Sequence, residues 1–130
     1  MKNLFLLLML LPFIGGSCSQ QKNYQSMSTP EFQQLLSDDA IQIVDARTPD
    51  EYRQGHIEKA VNMDIKSLDF DKQIQALDAG KPVAVYCKGG VRSKKAADKL
   101  SKAGFKKIYD LDKGLDDWIK HNYPVVKSEK

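Results

Sequence analysis

Seven consecutive residues, Cys87-Lys88-Gly89-Gly90-Val91-Arg92-Ser93, carry the chemistry this sequence offers most plainly. A cysteine attacks as its thiolate, and a thiolate is favoured by nearby positive potential and hydrogen-bond donors. Two adjacent glycines let the backbone curl so that successive N–H groups point inward and cradle an anion. A helix starting directly afterward would add free N–H groups and its positive end. Arg92 can present a planar pair of donors to an oxyanion, and Lys88, Lys94 and Lys95 raise the local positive potential. On this reading Cys87 is the catalytic nucleophile. Lys88, Gly89, Gly90, Val91 and Arg92 are the substrate-binding residues. The bland alternative is an inert cysteine before an ordinary glycine turn, but the ordered run of strand, Cys, glycine pair, Arg and helix favours the functional one.

The elements that must hold this loop can be read from patterning. The residues before it, Val83, Ala84, Val85 and Tyr86, form an almost wholly apolar strand of the kind found inside a parallel sheet. The run 92–103 predicts a helix burying Ala96, Ala97, Leu100 and Ala103, stopped by Gly104. A first helix is expected over 28–38, with Thr29 as cap and Pro30 at its first position, or with Ser28 and Glu31 as a capping box. Its stripe would be Phe32, Leu35 and Leu36. Strands are expected at 40–46, ending at Asp45, at 60–65 and at 107–110. A short helical piece around Tyr52, a helix over 69–79 and a last helix over 114–120 anchored by Leu115, Trp118 and Ile119 complete the pattern. Alternation of this kind predicts an α/β domain with a mainly parallel central sheet flanked by helices. Ligands of such sheets gather at the carboxyl ends of strands, where Cys87 and Asp45 both sit.

Composition narrows the class. The chain has 130 residues, 42% of them hydrophobic and 28% charged, as in an ordinary globular protein of one domain. Two cysteines are too few for a disulfide scaffold, and two histidines too few for a histidine-rich metal centre. No metal and no cofactor is expected. The net charge of +3 is dispersed, without a basic tail or aromatic residues set among basic ones, which argues against nucleic-acid binding.

Residues 1–17, MKNLFLLLMLLPFIGGS, read as a signal peptide. Lys2 supplies a short positive region, and an apolar run over 4–14 is broken only by Pro12. That run is shorter than the roughly 20 residues of a membrane-spanning helix. Small residues then precede Cys18. This arrangement resembles the lipobox of bacterial lipoproteins, in which the cysteine is lipidated; Gly15 stands where that family usually has a larger aliphatic residue. The resemblance implies a lipid anchor at Cys18 and a place in the bacterial cell envelope, facing the periplasm. A secretory cut after Ser17, leaving a soluble periplasmic or secreted protein, is the rival. Residues 18–27 read as a polar tether, 28–123 as the folded domain and 124–130 as a frayed tail.

Taken together, the motifs resemble a single-domain rhodanese, a sulfurtransferase-type domain. The family's active loop runs Cys, two residues, Gly, one residue, Arg, often then Ser, matched here by Cys87, Gly90, Arg92 and Ser93. Upstream, VDARTPDEYRQGHIEKAVN matches through Asp45, Arg47, Glu51, Tyr52, Gly55, His56, Ile57, Ala60 and Asn62. Downstream, GFKKIYDLDKGLDDW matches through Gly104, Phe105, Tyr109, Leu111, Gly114 and Trp118. Lys113 stands where the family commonly has the first of two glycines. The resemblance implies a three-layer rhodanese-like fold and sulfur transfer through a Cys87 persulfide. The donor would be thiosulfate or a similar small anion; the acceptor a thiol, cyanide or a sulfur-carrier protein. Arg92 would bind the anion and brace the loop, and Lys88 would steer the donor. Asp45, Arg47, His56 and Ser93 would be structural supports. A base role for His56 is the lesser reading, because a thiolate already stabilised by the loop needs no base.

Two other functions remain in view. Dual-specificity phosphatases and arsenate reductases use a similar nest, but with five residues between Cys and Arg, whereas Lys88 to Val91 are four. That smaller cradle suits sulfur better than a tetrahedral phosphoryl group. An envelope-tethered binding or sulfur-sensing module with little turnover is the alternative outside enzymology.

Overall fold

The computed structural model describes residues 22–128; the signal peptide expected over 1–17 and the lipidation expected at Cys18 fall outside them. Five strands form one sheet: β1 (Gln25–Met27), β2 (Gln42–Asp45), β3 (Val61–Asn62), β4 (Val83–Tyr86) and β5 (Ile108–Leu111). Their spatial order is β1-β5-β4-β2-β3, and every pairing is parallel. The helices are α1 (Thr29–Leu35), α2 (Pro49–Gln54), α3 (Phe70–Gln73), α4 (Val91–Lys102) and α5 (Gly114–Lys120). They cover both faces, giving the expected three-layer α/β arrangement with a parallel central sheet flanked by helices.

Strand β4 shows why both faces need cover. Its side chains alternate between faces, as a pleated strand requires. Val83 and Val85 join Phe70, Ile74, Ala96, Ala97 and Leu100 on one side. Ala84 and Tyr86 join Phe32, Leu111, Leu115 and Trp118 on the other. All four strand residues are fully buried, so the strand reads as a continuous apolar run rather than an alternating one.

Several elements depart from the sequence reading. Of the two caps read from the sequence for α1, Ser28 is the one in place, its Oγ accepting from Glu31 N. Thr29 instead turns inward and donates to Asp117 on α5. The helix expected over 69–79 is one short turn, α3, running into a 3₁₀ turn at Ile74–Ala76, because Leu77 is already extended. Ala103 is exposed at the end of α4, and Ile119 is 50% exposed on α5. Residues 25–27, expected as the end of a polar tether, form β1 along β5. Residues 124–126, expected to fray, dock instead. Val126 and His56 exchange both backbone hydrogen bonds, at 2.8 and 2.9 Å, and the Trp118 indole N–H donates to Pro124 O at 2.9 Å.

The strand order places a switch point between β2 and β4. From β2 the chain continues outward to β3; from β4 it continues in the opposite direction, to β5. The loops leaving these neighbours therefore diverge and open a crevice at their carboxyl ends. Asp45 lies opposite Tyr86 in register, so Asp45 and Cys87 meet at that crevice.

Candidate active site

Cys87 follows the last residue of β4, 1% exposed. Its backbone is fixed from the side by α5, whose first turn has N–H groups without partners of their own. Leu115 N donates to Cys87 O at 2.8 Å and Asp116 N to Lys88 O at 3.0 Å. So close an approach needs Gly114, with φ at +68°; a Cβ there would stand 2.2 Å from Lys88 O.

The loop then curls through Gly90, whose φ of +100° lies in the region that favours glycine. A Cβ on Gly90 would meet Asp112 O at 1.9 Å. In this conformation the Gly90 N–H donates to Cys87 Sγ at 3.1 Å. Gly90 caps α4, so Cys87 sits at the amino end of a 12-residue helix. Lys88, Gly89 and Val91 form the exposed rim, Val91 with 83% exposure.

Arg92, expected to bind the anion and brace the loop, directs both terminal nitrogens at Glu51 on α2. Nη1 donates to Oε1 at 2.7 Å and Nη2 to Oε2 at 2.9 Å. Hydrogen bonds from Arg92 hold the Glu51 carboxyl at about 2, well below its ordinary range and against the opposing effect of burial. Glu51 in turn raises the Arg92 guanidinium, which also lies in the field of Cys87. The two loops flanking the crevice are thus clasped together. The amino end of α2 is itself secured by a capping box between Thr48 and Glu51.

Below the loop, the buried Asp45 takes three hydrogen bonds from the Arg47 side chain and one from its backbone N–H. Arg47 also donates to Gly55 O at 2.7 Å and lies 5.8 Å over the Tyr86 ring. Burial, then the Asp45 charge, pushes the Tyr86 phenol up, and its oxygen accepts from Ile57 N at 3.0 Å. Asn62 donates to the carbonyls of Asp45 and Arg47. His56 stacks on Tyr52 with ring centres 3.7 Å apart, and its Nδ1 contacts Tyr52 O at 2.8 Å. Ser93, in the first turn of α4, is fully buried, and its hydroxyl has no hydrogen-bond partner among the described residues.

Lys88 Nζ is 2.7 Å from Asp116 Oδ2. With Arg47, Glu51, Leu115 and Ile119, these two residues line a depression of about 240 Å³ beside the loop. Among the described residues, no cluster of three His, Cys, Asp or Glu side chains is placed to hold a metal ion. No helix there is long and apolar enough to cross a membrane.

The Rhodanese-like domain family matches residues 28–121. The chain belongs to this family. A crystallised rhodanese-related protein from Thermoplasma volcanium shares 30% identity and superposes with a TM-score of 0.72, over 81% of this chain and all of that one. The thiosulfate sulfurtransferase GlpE of Coxiella burnetii (strain RSA 493 / Nine Mile phase I) is 33% identical over 82% of this chain and 97% of its own length. The tRNA uridine(34) hydroxylase of Pelagibacter ubique (strain HTCC1062) is also 33% identical, over 79% of this chain. The chain spans only 35% of that larger protein. The rhodanese-like chain is therefore homologous to a superfamily that includes named thiosulfate sulfurtransferases.

The sequence marks Cys87, the loop that follows it and the membership of the rhodanese-like family. It does not mark Glu51 as the partner of Arg92, the α5 N–H groups on the loop carbonyls, or the ion pairs of Lys94 with Asp110 and Asp112. Glu51 lay in the matched upstream motif, and its spacing from Thr48 was a readable capping signal. Nothing local linked it to Arg92.

Proposed function

We propose that the chain is a sulfurtransferase that carries a sulfane sulfur on Cys87. In the first half-reaction the Cys87 thiolate attacks the outer sulfur of thiosulfate or a similar donor. A new S–S bond forms, the donor's S–S bond breaks, and sulfite leaves with the bonding electron pair. In the second, a thiophilic acceptor attacks the outer sulfur of the Cys87 persulfide. With cyanide, thiocyanate leaves and the Cys87 thiolate is regenerated, so no net redox reagent is needed.

The observation that carries this reading is the Gly90 N–H on Cys87 Sγ, at the amino end of α4 and the switch point of the sheet. A donor already aimed at sulfur stabilises negative charge there without reorganising during the reaction. Lys88 on the exposed rim, held in an ion pair with Asp116, is the cation that a small anionic donor meets on exchanging with that carboxylate. Arg92 serves through its clasp with Glu51, which keeps the loop curled. Thiosulfate-to-cyanide sulfur transfer tests the reading, with Cys87→Ser as control. Thiocyanate formation that is lost in C87S is expected. Absence of both turnover and a persulfide adduct on Cys87 overturns it.

The address rests on residues 1–18. The chain is placed in the bacterial cell envelope by lipidation of Cys18, with the domain facing the periplasm. The intact mass of the mature amino terminus tests this; an unmodified Cys18 overturns it.

A further inference from the structure

Lys94 lies one turn inside α4 from Gly90, and helical side chains of this length point back toward the amino end. Its ammonium lies 3.1 Å from Gly90 O, 2.9 Å from Asp110 Oδ2 and 3.0 Å from Asp112 Oδ1. Asp110 is fully buried at the end of β5 and also accepts from Ser26 Oγ of β1 at 3.0 Å. One ammonium therefore joins α4, the active loop and β5, and reaches β1 through Asp110. Burial works against its charge, but the bonds to Asp110 and Asp112 outweigh that and hold the ammonium above its ordinary range. Lys94 is fully charged at neutral pH.

The contact with Gly90 O matters because of what lies on either side of it. Gly90 is the residue whose N–H reaches Cys87 Sγ. Its carbonyl belongs to the next peptide, the one that carries the Val91 N–H. A trans peptide is planar, with C=O and N–H on opposite edges. Drawing the Gly90 carbonyl toward the end of β5 therefore sets the direction of the Val91 N–H as well. A carbonyl bonded to a cation also polarises its own peptide, which makes that N–H a stronger donor. The carboxylates supply the other half of the device, because they prevent the lysine from swinging into solvent.

We propose that Lys94 is a positioning residue for sulfur transfer: anchored by Asp110 and Asp112, it fixes the Gly90 carbonyl and thereby the loop N–H groups that serve Cys87. This rests on the sulfurtransferase reading and extends it from groups at the sulfur to one acting through the backbone. No substrate need touch Lys94.

The test compares wild type, Lys94→Met, Lys94→Arg and Asp112→Asn in thiosulfate-to-cyanide transfer. Alkylation of Cys87 by iodoacetamide at fixed pH and the melting temperature are measured beside it. K94M is expected to lower kcat about tenfold, with a smaller change in KM for thiosulfate, and to slow alkylation. K94R restores most of both, and D112N falls between. A K94M protein that melts lower yet keeps kcat and the alkylation rate within about twofold of wild type overturns the proposal, since a merely structural lysine behaves that way. If K94M does not fold, D112N decides by the same comparison, an unchanged alkylation rate being the adverse result. Alkylation needs no sulfur donor. A wild type that is alkylated in a Lys94-dependent manner but transfers no sulfur overturns the sulfurtransferase reading and upholds only the positioning of the loop about Cys87.

Discussion

Arg92 and Glu51, 41 residues apart, form a two-pronged ion pair of 2.7 and 2.9 Å that fastens the start of α4 to α2 across the mouth of the crevice. Two parallel bonds between a guanidinium and a carboxylate fix direction as well as distance. The pair converts two divergent loops into one wall of the candidate site.

Its dependence on pH follows from the depressed Glu51. The folded carboxyl titrates at about 2, against 4.5 for the free group. A depressed folded value means that the pair's contribution is fully present above about 4.5 and lost as pH falls through about 2. Urea midpoints measured across that window should fall more steeply for wild type than for Glu51→Gln. At neutral pH the E51Q protein should be the less stable of the two. Parallel curves would show that the pair contributes nothing to stability.

Gly90 and Gly89 are neighbours with opposite tolerance. A Cβ on Gly90 would overlap the backbone of Asp112, whereas one on Gly89 meets nothing within 4 Å. Gly90→Ala should cost about 2 kcal/mol or more through strain and displacement of the loop, and should remove sulfur transfer. Gly89→Ala should stay within about 0.5 kcal/mol of wild type. Thermal melts and turnover of both variants check this.

The buried pair beneath the loop predicts a larger loss. Asp45 is fully buried against Arg47, with the shortest contact at 2.7 Å. Asp45→Asn leaves a buried guanidinium without its counter-charge, for which the expected cost is about 3–5 kcal/mol. Chemical denaturation should show this as a lowered midpoint with an unchanged slope.

The carboxyl-terminal segment predicts an effect on stability. Deleting residues 124–130 removes both backbone bonds between His56 and Val126 and the partner of the buried Trp118 N–H. At about 1 kcal/mol for each hydrogen bond, the loss is about 2–3 kcal/mol. A domain of this size should melt about 10 °C lower or more. Calorimetry of the truncated chain checks it.

The legible parts of the fold share one property: their signals are local. β4 announces itself by four apolar residues in a row, and α4 by alanines and Leu100 at helical spacing with Gly104 behind them. β1 has no such signal, since Gln25, Ser26 and Met27 neither alternate nor form an apolar run. They become a strand because β5 offers an unpaired edge and Asp110 accepts from Ser26. The expected helix at 69–79 fails for a related reason. Phe70 and Ile74 keep helical spacing, but the chain must straighten at Leu77 to reach β4.

The sequence alone determined the candidate loop from Cys87 to Arg92, the glycine curl within it and the α/β alternation that puts Cys87 at a strand end, because each is written within a few residues. The tertiary structure decided which charge answers which. Arg92 was expected to bind an anion and brace the loop; the β2–β4 pairing brings Glu51 within bonding distance, a partner its local sequence does not name. Lys94 read as one of three lysines raising the positive potential near the loop until Asp110 and Asp112 arrived from β5 and the turn beyond it. The pairing of distant strands sets these meetings, and no local pattern records which distant carboxylate a lysine or arginine will find.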